Sequence, residues 1–357
     1  RGERNVAGAG LKIATFNVEN LLTRYDFRGR KARGRGLFGL MKRLGDRRMA
    51  TGRSDASRFE LDEADRLATA YAIRDLNADV LFLQEVESEA VLADFEKNYL
   101  RPLKLSYPNR IVLDGNDLRG IDVAAMARDG IDLNAKSHHA ITYADAGVYD
   151  NTVQDLGIRP KERVFKRDCL EVDVSFAGTS FAAFVCHFKS MRMSRFMERK
   201  FGSGADARLV TAPIRRAEAK TVRRVIEDRF GGHAKEGAWV VCGDFNDHLF
   251  ANGDRFFDFS AAALVADGFS HNVIERLARD HRWTHFYSPE TKFSQLDYIL
   301  LSPALAASNK TAKPSVLRSG MPLRVPSLTD VDRYDGIGWD RPKSSDHCPV
   351  VFDLKIR

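Results

Sequence analysis

The sequence has little of what would settle its class at once. No run approaches the roughly 18 apolar residues that a membrane-crossing helix needs, so no transmembrane helix and no stable membrane anchor are expected. The four cysteines are Cys169, Cys186, Cys242 and Cys348, and none forms a paired CxxC knuckle, which argues against structural zinc. Each lies in or beside an apolar, strand-like run. They read as buried thiols, which favours a reducing, cytoplasmic setting, although parity also allows two disulfides. Nothing repeats internally and no linker divides the chain, so residues 1–357 read as a single domain. The first residue is Arg1 rather than Met, which leaves room for a removed leader or tag and keeps export open.

What is present is a globular composition with a basic tilt. Apolar residues make up 44% of 357 positions, enough for a substantial core. The 56 Lys and Arg against 49 Asp and Glu give a net charge of +7, which favours an anionic partner such as nucleic acid or an acidic head group. No protein partner is implied. Two segments stand apart from the core pattern: a basic, Arg- and Gly-rich insertion at about 24–58, with Leu37, Phe38, Leu40 and Met41 as its apolar cluster, and a long loop at about 320–343. Phosphate-backbone contact and a solvated loop are both open for the first of these.

One pattern recurs along the chain. Leu11 to Phe16 is a short apolar run that stops at Asn17-Val18-Glu19-Asn20, and Asp79 to Glu85 is another that ends in a carboxylate. It returns in Ser180 to His187, Ala238 to Asn246, Leu296 to Leu301 and Ser345 to Leu354. Between these runs, helical spacing predicts helices over Glu60 to Leu76 and Pro213 to Phe230. Near-continuous apolar strands alternating with helices imply sheets covered on both faces.

The strand ends carry Asn17, Glu19, Glu85, His187, Asp244, Asn246, Asp297, Asp346 and His347. Oxygen-rich clusters suit a hard cation such as Mg²⁺, which takes few protein carboxylates and fills its octahedron with water and phosphate oxygens. Glu85 with Asn17 or an Asp would form such a shell. His347, oriented by Asp297, would activate water with Asp244 helping to place it, while Asn246 and His187 donate to phosphate oxygens. Lys189 stands beside His187 as a phosphate contact. Any one of these residues alone reads more simply as a turn former or helix cap, and Asn20, Glu87 and Asp247 keep that reading. Trp239, Trp283 and Trp339 read as core or interface aromatics, and the other histidines, His285 among them, as packing or surface residues.

In order along the chain, TFNVEN (Thr15 to Asn20), LQEVE (Leu83 to Glu87), CHFKS (Cys186 to Ser190), GDFND (Gly243 to Asp247), QLDYIL (Gln295 to Leu300) and SSDHCPV (Ser344 to Val350) resemble the endonuclease/exonuclease/phosphatase superfamily, the DNase I-like or exonuclease III-like proteins. The resemblance implies an α/β (α+β) fold, a four-layer αββα sandwich with two mixed sheets face to face and helices outside. It also implies roles. Asn17, Glu85 and Asp346 would serve a Mg²⁺ or Mn²⁺ ion, Asp244 and Asn246 would orient the nucleophile, His347 with Asp297 would form a dyad, and His187 would meet the phosphate or act as an acid. Arg128 resembles an arginine that follows the middle strand in some members. The expected activity is Mg²⁺-dependent phosphodiester hydrolysis by a nuclease acting on DNA or RNA. The alternatives are a phosphoesterase for a lipid head group, phosphoinositide or small nucleotide, and a binding protein on an inactive version of the fold.

Overall fold

The computed structural model describes residues 10–21, 55–117, 119–252, 254–255, 258–326 and 331–356. Most of the basic insertion, including Leu37 to Met41, lies outside them. The strands are β1 (Gly10–Leu21), β2 (Val80–Val86), β3 (Asn109–Val112), β4 (Asp122–Ala127), β5 (Asp132–Ser137), β6 (Cys169–Phe176), β7 (Thr179–His187) and β8 (Trp239–Asp244). They continue as β9 (Phe250–Ala251), β10 (Asp254–Arg255), β11 (His271–Asn272), β12 (His285–Tyr287), β13 (Lys292–Ser294), β14 (Asp297–Leu301), β15 (Ser315–Val316) and β16 (Val350–Lys355). The main helices are α1 (Asp55–Leu76), α2 (Glu89–Phe95) and α3 (Ala207–Phe230).

Two six-stranded sheets dominate, in the orders β15-β16-β1-β2-β4-β3 and β11-β14-β8-β7-β6-β5, with a four-stranded sheet β10-β9-β13-β12 beside them. Both large sheets are mixed, because β1 runs parallel to β2 and β7 parallel to β8 while their other pairings are antiparallel. Alternation along each strand explains the layering. Leu11, Ile13, Val80 and Phe82 from one sheet meet Val172, Val185, Val240 and Cys242 from the other in a shared core. The intervening residues face outward and are also apolar. Ala14, Phe16, Leu81 and Leu83 pack under Ile73 and Leu76 of α1 and Leu92 of α2, and Phe184, Cys186 and Val241 pack under Val222 and Ile226 of α3. The result is the four-layer αββα arrangement. Burying each such large side chain contributes about 1.5–3 kcal/mol, so three stacked interfaces can carry a costly polar site.

All four cysteines are buried free thiols. The helix expected from Pro213 begins earlier, at Ala207, because the Asp206 carboxylate accepts from the Arg208 and Leu209 amides and caps it; Pro213 sits inside. Trp239 and Trp283 are buried, whereas Trp339 is exposed. No helix among the described residues is long and apolar enough to cross a membrane.

Gly243, the residue before Asp244, has φ 131°, and a Cβ there would lie 1.9 Å from the Cys186 carbonyl oxygen of the neighbouring strand. Gly243→Ala is expected to cost about 2–5 kcal/mol in urea unfolding, from the backbone clash and the strained φ together. Unfolding at the wild-type midpoint would contradict this close approach of β7 and β8.

Candidate active site

Strand direction gathers the polar residues. The parallel pairs β1/β2 and β7/β8 finish at one edge of the sandwich, and β14 and β16, antiparallel to their neighbours, begin there. Asn17 pairs with Gln84, one residue before Glu85, while Asp244 lies between His187 on one side and Asp297 on the other. The chain leaves regular pairing at this edge through positive φ values at Glu19 (48°), Glu85 (68°) and Asn246 (50°). Side chains rarely tolerate that region, and its clustering at one edge marks backbone bent to aim polar groups.

Asp244 is the hub. Its Oδ2 accepts from Asn17 Nδ2 at 3.1 Å and from Asn246 Nδ2 at 2.9 Å, and its Oδ1 accepts from the Asn246 backbone amide at 2.7 Å. Two imidazoles approach the same Oδ2, His187 Nε2 at 3.6 Å and His347 Nε2 at 3.8 Å. Asn17 Nδ2 also reaches Glu85 Oε1 at 3.5 Å, which ties the two sheets' carboxylates through one amide. Asn246 Nδ2 donates in addition to the Phe188 carbonyl at 3.1 Å, so the side chain cannot rotate away from Asp244.

His347 is held from both ends. Its Nδ1 bonds Asp297 Oδ2 at 2.8 Å, and its backbone amide donates to Ser345 Oγ at 3.0 Å, whose hydroxyl donates to the Asn17 carbonyl at 2.7 Å. Asp297 is fixed in turn by Thr284 Oγ1, which accepts from its backbone amide at 3.0 Å. Glu19 braces the preceding residue, Asp346. Its Oε2 accepts from the Asp346 amide at 3.0 Å and pairs with Lys343 Nζ at 2.7 Å, so the end of the long 320–343 loop reaches the site.

Burial sets the electrostatics. It pushes Asp244 up to about 7 against the pull of His347, and pushes Glu19 up to about 7 with help from Asp346. Glu85 is also raised, by burial and by the neighbouring Asp346 charge. Burial opposes ionisation of Asp346 as well, but Lys343, His347 and His285 outweigh it and draw that acid down to about 2. The histidines diverge: burial, Arg167 and Arg119 hold His187 well below the ordinary value, while Asp297 and Asp244 overcome burial and hold His347 well above it.

Eight of the ten expected residues therefore converge: Asn17, Glu85, His187, Asp244, Asn246, Asp297, Asp346 and His347. Arg128 does not. It follows β4, its backbone amide donates to the Asp79 carbonyl at 3.0 Å, and its guanidinium meets Asn77 and Asp79 at the start of β2. Six residues of strand at about 3.3 Å each separate that end from Glu85. Lys189 follows His187 as expected, yet its ammonium donates to the Ser190 and Arg192 carbonyls, both at 2.6 Å, and is committed to its own loop. Motif reading passed over His285, whose ring lies 4.8 Å from that of His347, and the cations Lys343, Arg119 and Arg167. Only Lys343 carried a sequence signal, its place just before the SSDHCPV block.

The donor set fits a hard divalent ion. Glu85 and Asp346 are partly exposed acids that repel one another, and the Asn17 side-chain amide lies beside Glu85; an ion of charge two would relieve that repulsion. Asp244, Asp297 and His347 also bring donor atoms within 4.8 Å of one another. That trio is already closed by the His347–Asp297 bond, which suits proton handling better than ligation.

The model of the endonuclease/exonuclease/phosphatase family matches residues 14–347. No curated protein matches the sequence. Among solved structures, an endonuclease/exonuclease/phosphatase family protein from Bacteroides thetaiotaomicron aligns with TM-score 0.54 and 15% identity over 97% of this chain and 98% of its own. The mannosyl-6-phosphatase Bt3783 of Bacteroides thetaiotaomicron gives 0.52 and 15% over 96% and 99%. Danio rerio TDP2 in complex with a single-strand DNA product gives 0.50 and 16% over 97% and 99%. Identities this low speak for the fold alone, but the family match runs from β1 to His347 and takes in every strand end that lines the site. This chain belongs to the endonuclease/exonuclease/phosphatase family.

Proposed function

We propose that this protein is a divalent-metal-dependent phosphodiesterase, and that its substrate is DNA or RNA. Members of its family are hydrolases of phosphoester bonds and use divalent metals. The observation that carries the reading is the shared Asp244 carboxylate, met by two amides and two imidazoles from strands and loops more than 200 positions apart. Glu85 and Asp346, with Asn17, would hold Mg²⁺ or Mn²⁺. A bound ion there would supply Lewis-acid stabilisation of the phosphate's developing charge.

The protein's own groups divide the remaining work. Asp244, fixed by Asn17 and Asn246, orients the attacking water and takes its proton. His347 lies within 4 Å of three carboxylates, at 2.8 Å from Asp297, 3.8 Å from Asp244 and 3.9 Å from Asp346, a setting that favours the imidazolium. It therefore suits donation to a phosphate oxygen better than the base role that the sequence suggests. His187, kept neutral among Arg167 and Arg119, donates from Nε2 to the phosphoryl group. The net charge of +7 and the cations Arg119, Arg167 and Lys343 around the site favour a polyanion, as does the likeness to a fold that holds a single-strand DNA product. The likeness to a sugar phosphatase supports a second reading, a small phosphoester substrate.

Three outcomes are expected. Incubation with plasmid and labelled oligonucleotides should give cleavage that EDTA abolishes and Mg²⁺ or Mn²⁺ restores; release of phosphate or a head group from small phosphoesters, with nucleic acid untouched, would transfer the assignment to the second reading. Asp244→Asn should lower kcat by about 10²–10⁴-fold with the circular dichroism spectrum unchanged. In a cycle of Asp297→Asn and His347→Gln, the double variant should lose little more than the worse single one, since the two side chains act as one unit; additive losses would separate them.

A further inference from the structure

The loop between β3 and β4 is built against the site from the side opposite His347. It arrives there because β4 begins where β2 ends, with Val86 paired to Asp122. The loop is stitched down: the Gly115 amide donates to Asp122 Oδ1 at 2.9 Å, the Asn116 amide to the Arg167 carbonyl at 2.9 Å, and the Asn116 side chain to the His139 carbonyl at 2.7 Å. A Cβ at Gly115 would sit 2.9 Å from the Arg167 carbonyl oxygen, so the backbone is drawn tight there.

At the centre of this loop one carboxylate serves two guanidinium groups. Arg119 grips Asp117 as a fork, Nε to Oδ1 at 3.0 Å and Nη2 to Oδ2 at 2.8 Å, and Arg167 Nε adds a third bond to Oδ2 at 2.9 Å. Arg167 is buried, and its Nη1 donates to the Phe188 carbonyl at 2.8 Å, the same oxygen that accepts from Asn246. A continuous chain of polar contacts thus runs from Arg119 through Asp117, Arg167, the Phe188 carbonyl and Asn246 to Asp244. Two cations against one anion leave a net positive charge, and both arginines act on Glu85 and His187. A fork through Nε and Nη2 turns the Nη1 edge of Arg119 away from Asp117, and the side chain is 39% exposed, so that edge faces an accessible space.

We propose that Arg119 is a substrate ligand whose Nη1 edge donates to a non-bridging phosphate oxygen, with Asp117 and Arg167 as its positioning residues. The inference rests on the phosphoester reading and adds to it a cationic contact on the Glu85 side of the phosphate. Planar, always-charged guanidinium suits that oxygen better than the committed Lys189 ammonium. A guanidinium held by a buried partner also loses little freedom on binding.

The test compares wild type, Arg119→Gln, Arg119→Lys and the exposed control Arg159→Gln by two readouts: steady-state kinetics on whichever phosphoester the wild type cleaves, and the Kd of inorganic phosphate in Mg²⁺ measured by calorimetry. Arg119→Gln should lower kcat/KM and weaken phosphate binding by about tenfold or more, with melting temperature unchanged. Arg119→Lys should recover part of both, and Arg159→Gln should match wild type. Should Arg119→Gln unfold, Arg119→Lys, which keeps the charge and loses the fork, carries the comparison. Wild-type KM and phosphate affinity in the folded Arg119 variants would overturn the proposal, as would failure of the wild type to bind phosphate. A wild type that binds phosphate but cleaves no phosphoester would sink the catalytic reading while the affinities still decide Arg119.

Discussion

The carboxylate of Asp244 is the constraint on which the rest depends. It is almost fully buried, it sits opposite a second buried acid, Asp297, in the strand register, and no lysine or arginine among the described residues is bonded to it. An isolated buried carboxylate is expensive, and two face to face are worse. The molecule meets the cost with amide hydrogen bonds and imidazoles: Asn17 and Asn246 donate directly, and the His347 ring stands between the two acids. That solution leaves Asp244 raised to about 7 by burial, because amides and an imidazole 3.8 Å away hold it less firmly than a bonded guanidinium would.

The contrast with Asp247, three positions on, makes the point. Asp247 is equally buried, but Arg208 Nε lies 2.7 Å from it, Arg215 Nε lies at 3.7 Å, and the Ser260 amide donates to it at 2.8 Å. Its pKa is held below the ordinary aspartate value because Arg215, Ser260 and Arg208 overcome burial. One aspartate of the GDFND block is locked as an anion and anchors the loop, and the other is left poised. The strained backbone at Glu85, Glu19 and Asn246 belongs to the same economy, since the core between the sheets and under the helices holds conformations that isolated strands would relax.

Much of this was legible in the sequence because the fold writes it in a one-dimensional form. An apolar run that ends in an acid or amide states both a buried strand and a polar edge, so β1, β2, β7, β8, β14 and the segment before β16 could be read with their terminal residues. Strands such as β5, whose residues are at best half buried, and the two- and three-residue strands of the small sheet carry too little apolar pattern to stand out. Roles that depend on cross-chain approach were invisible. His285 had no motif around it and gains its place only by pairing across from His347, and Arg119 and Arg167 matter through a shared Asp117 some 50 positions from one of them. Arg128 failed for a related reason: a residue just after a strand lies at one end or the other depending on strand direction, and β4 runs antiparallel to β2.

The fold and the family are those of phosphoester hydrolases, and the electrostatic layout divides this site into an acid-rich side at Glu85 and Asp346, which we propose holds the metal, and a side at Asp244, His347 and Asp297, which we propose handles protons. That division is the central claim. Anomalous diffraction from crystals soaked in Mn²⁺ and inorganic phosphate tests it most directly: the account predicts manganese bound by Glu85, with phosphate between it and the Asp244–His347 pair. Manganese held instead within the Asp244, Asp297 and His347 trio, with the His347–Asp297 bond broken, would contradict it.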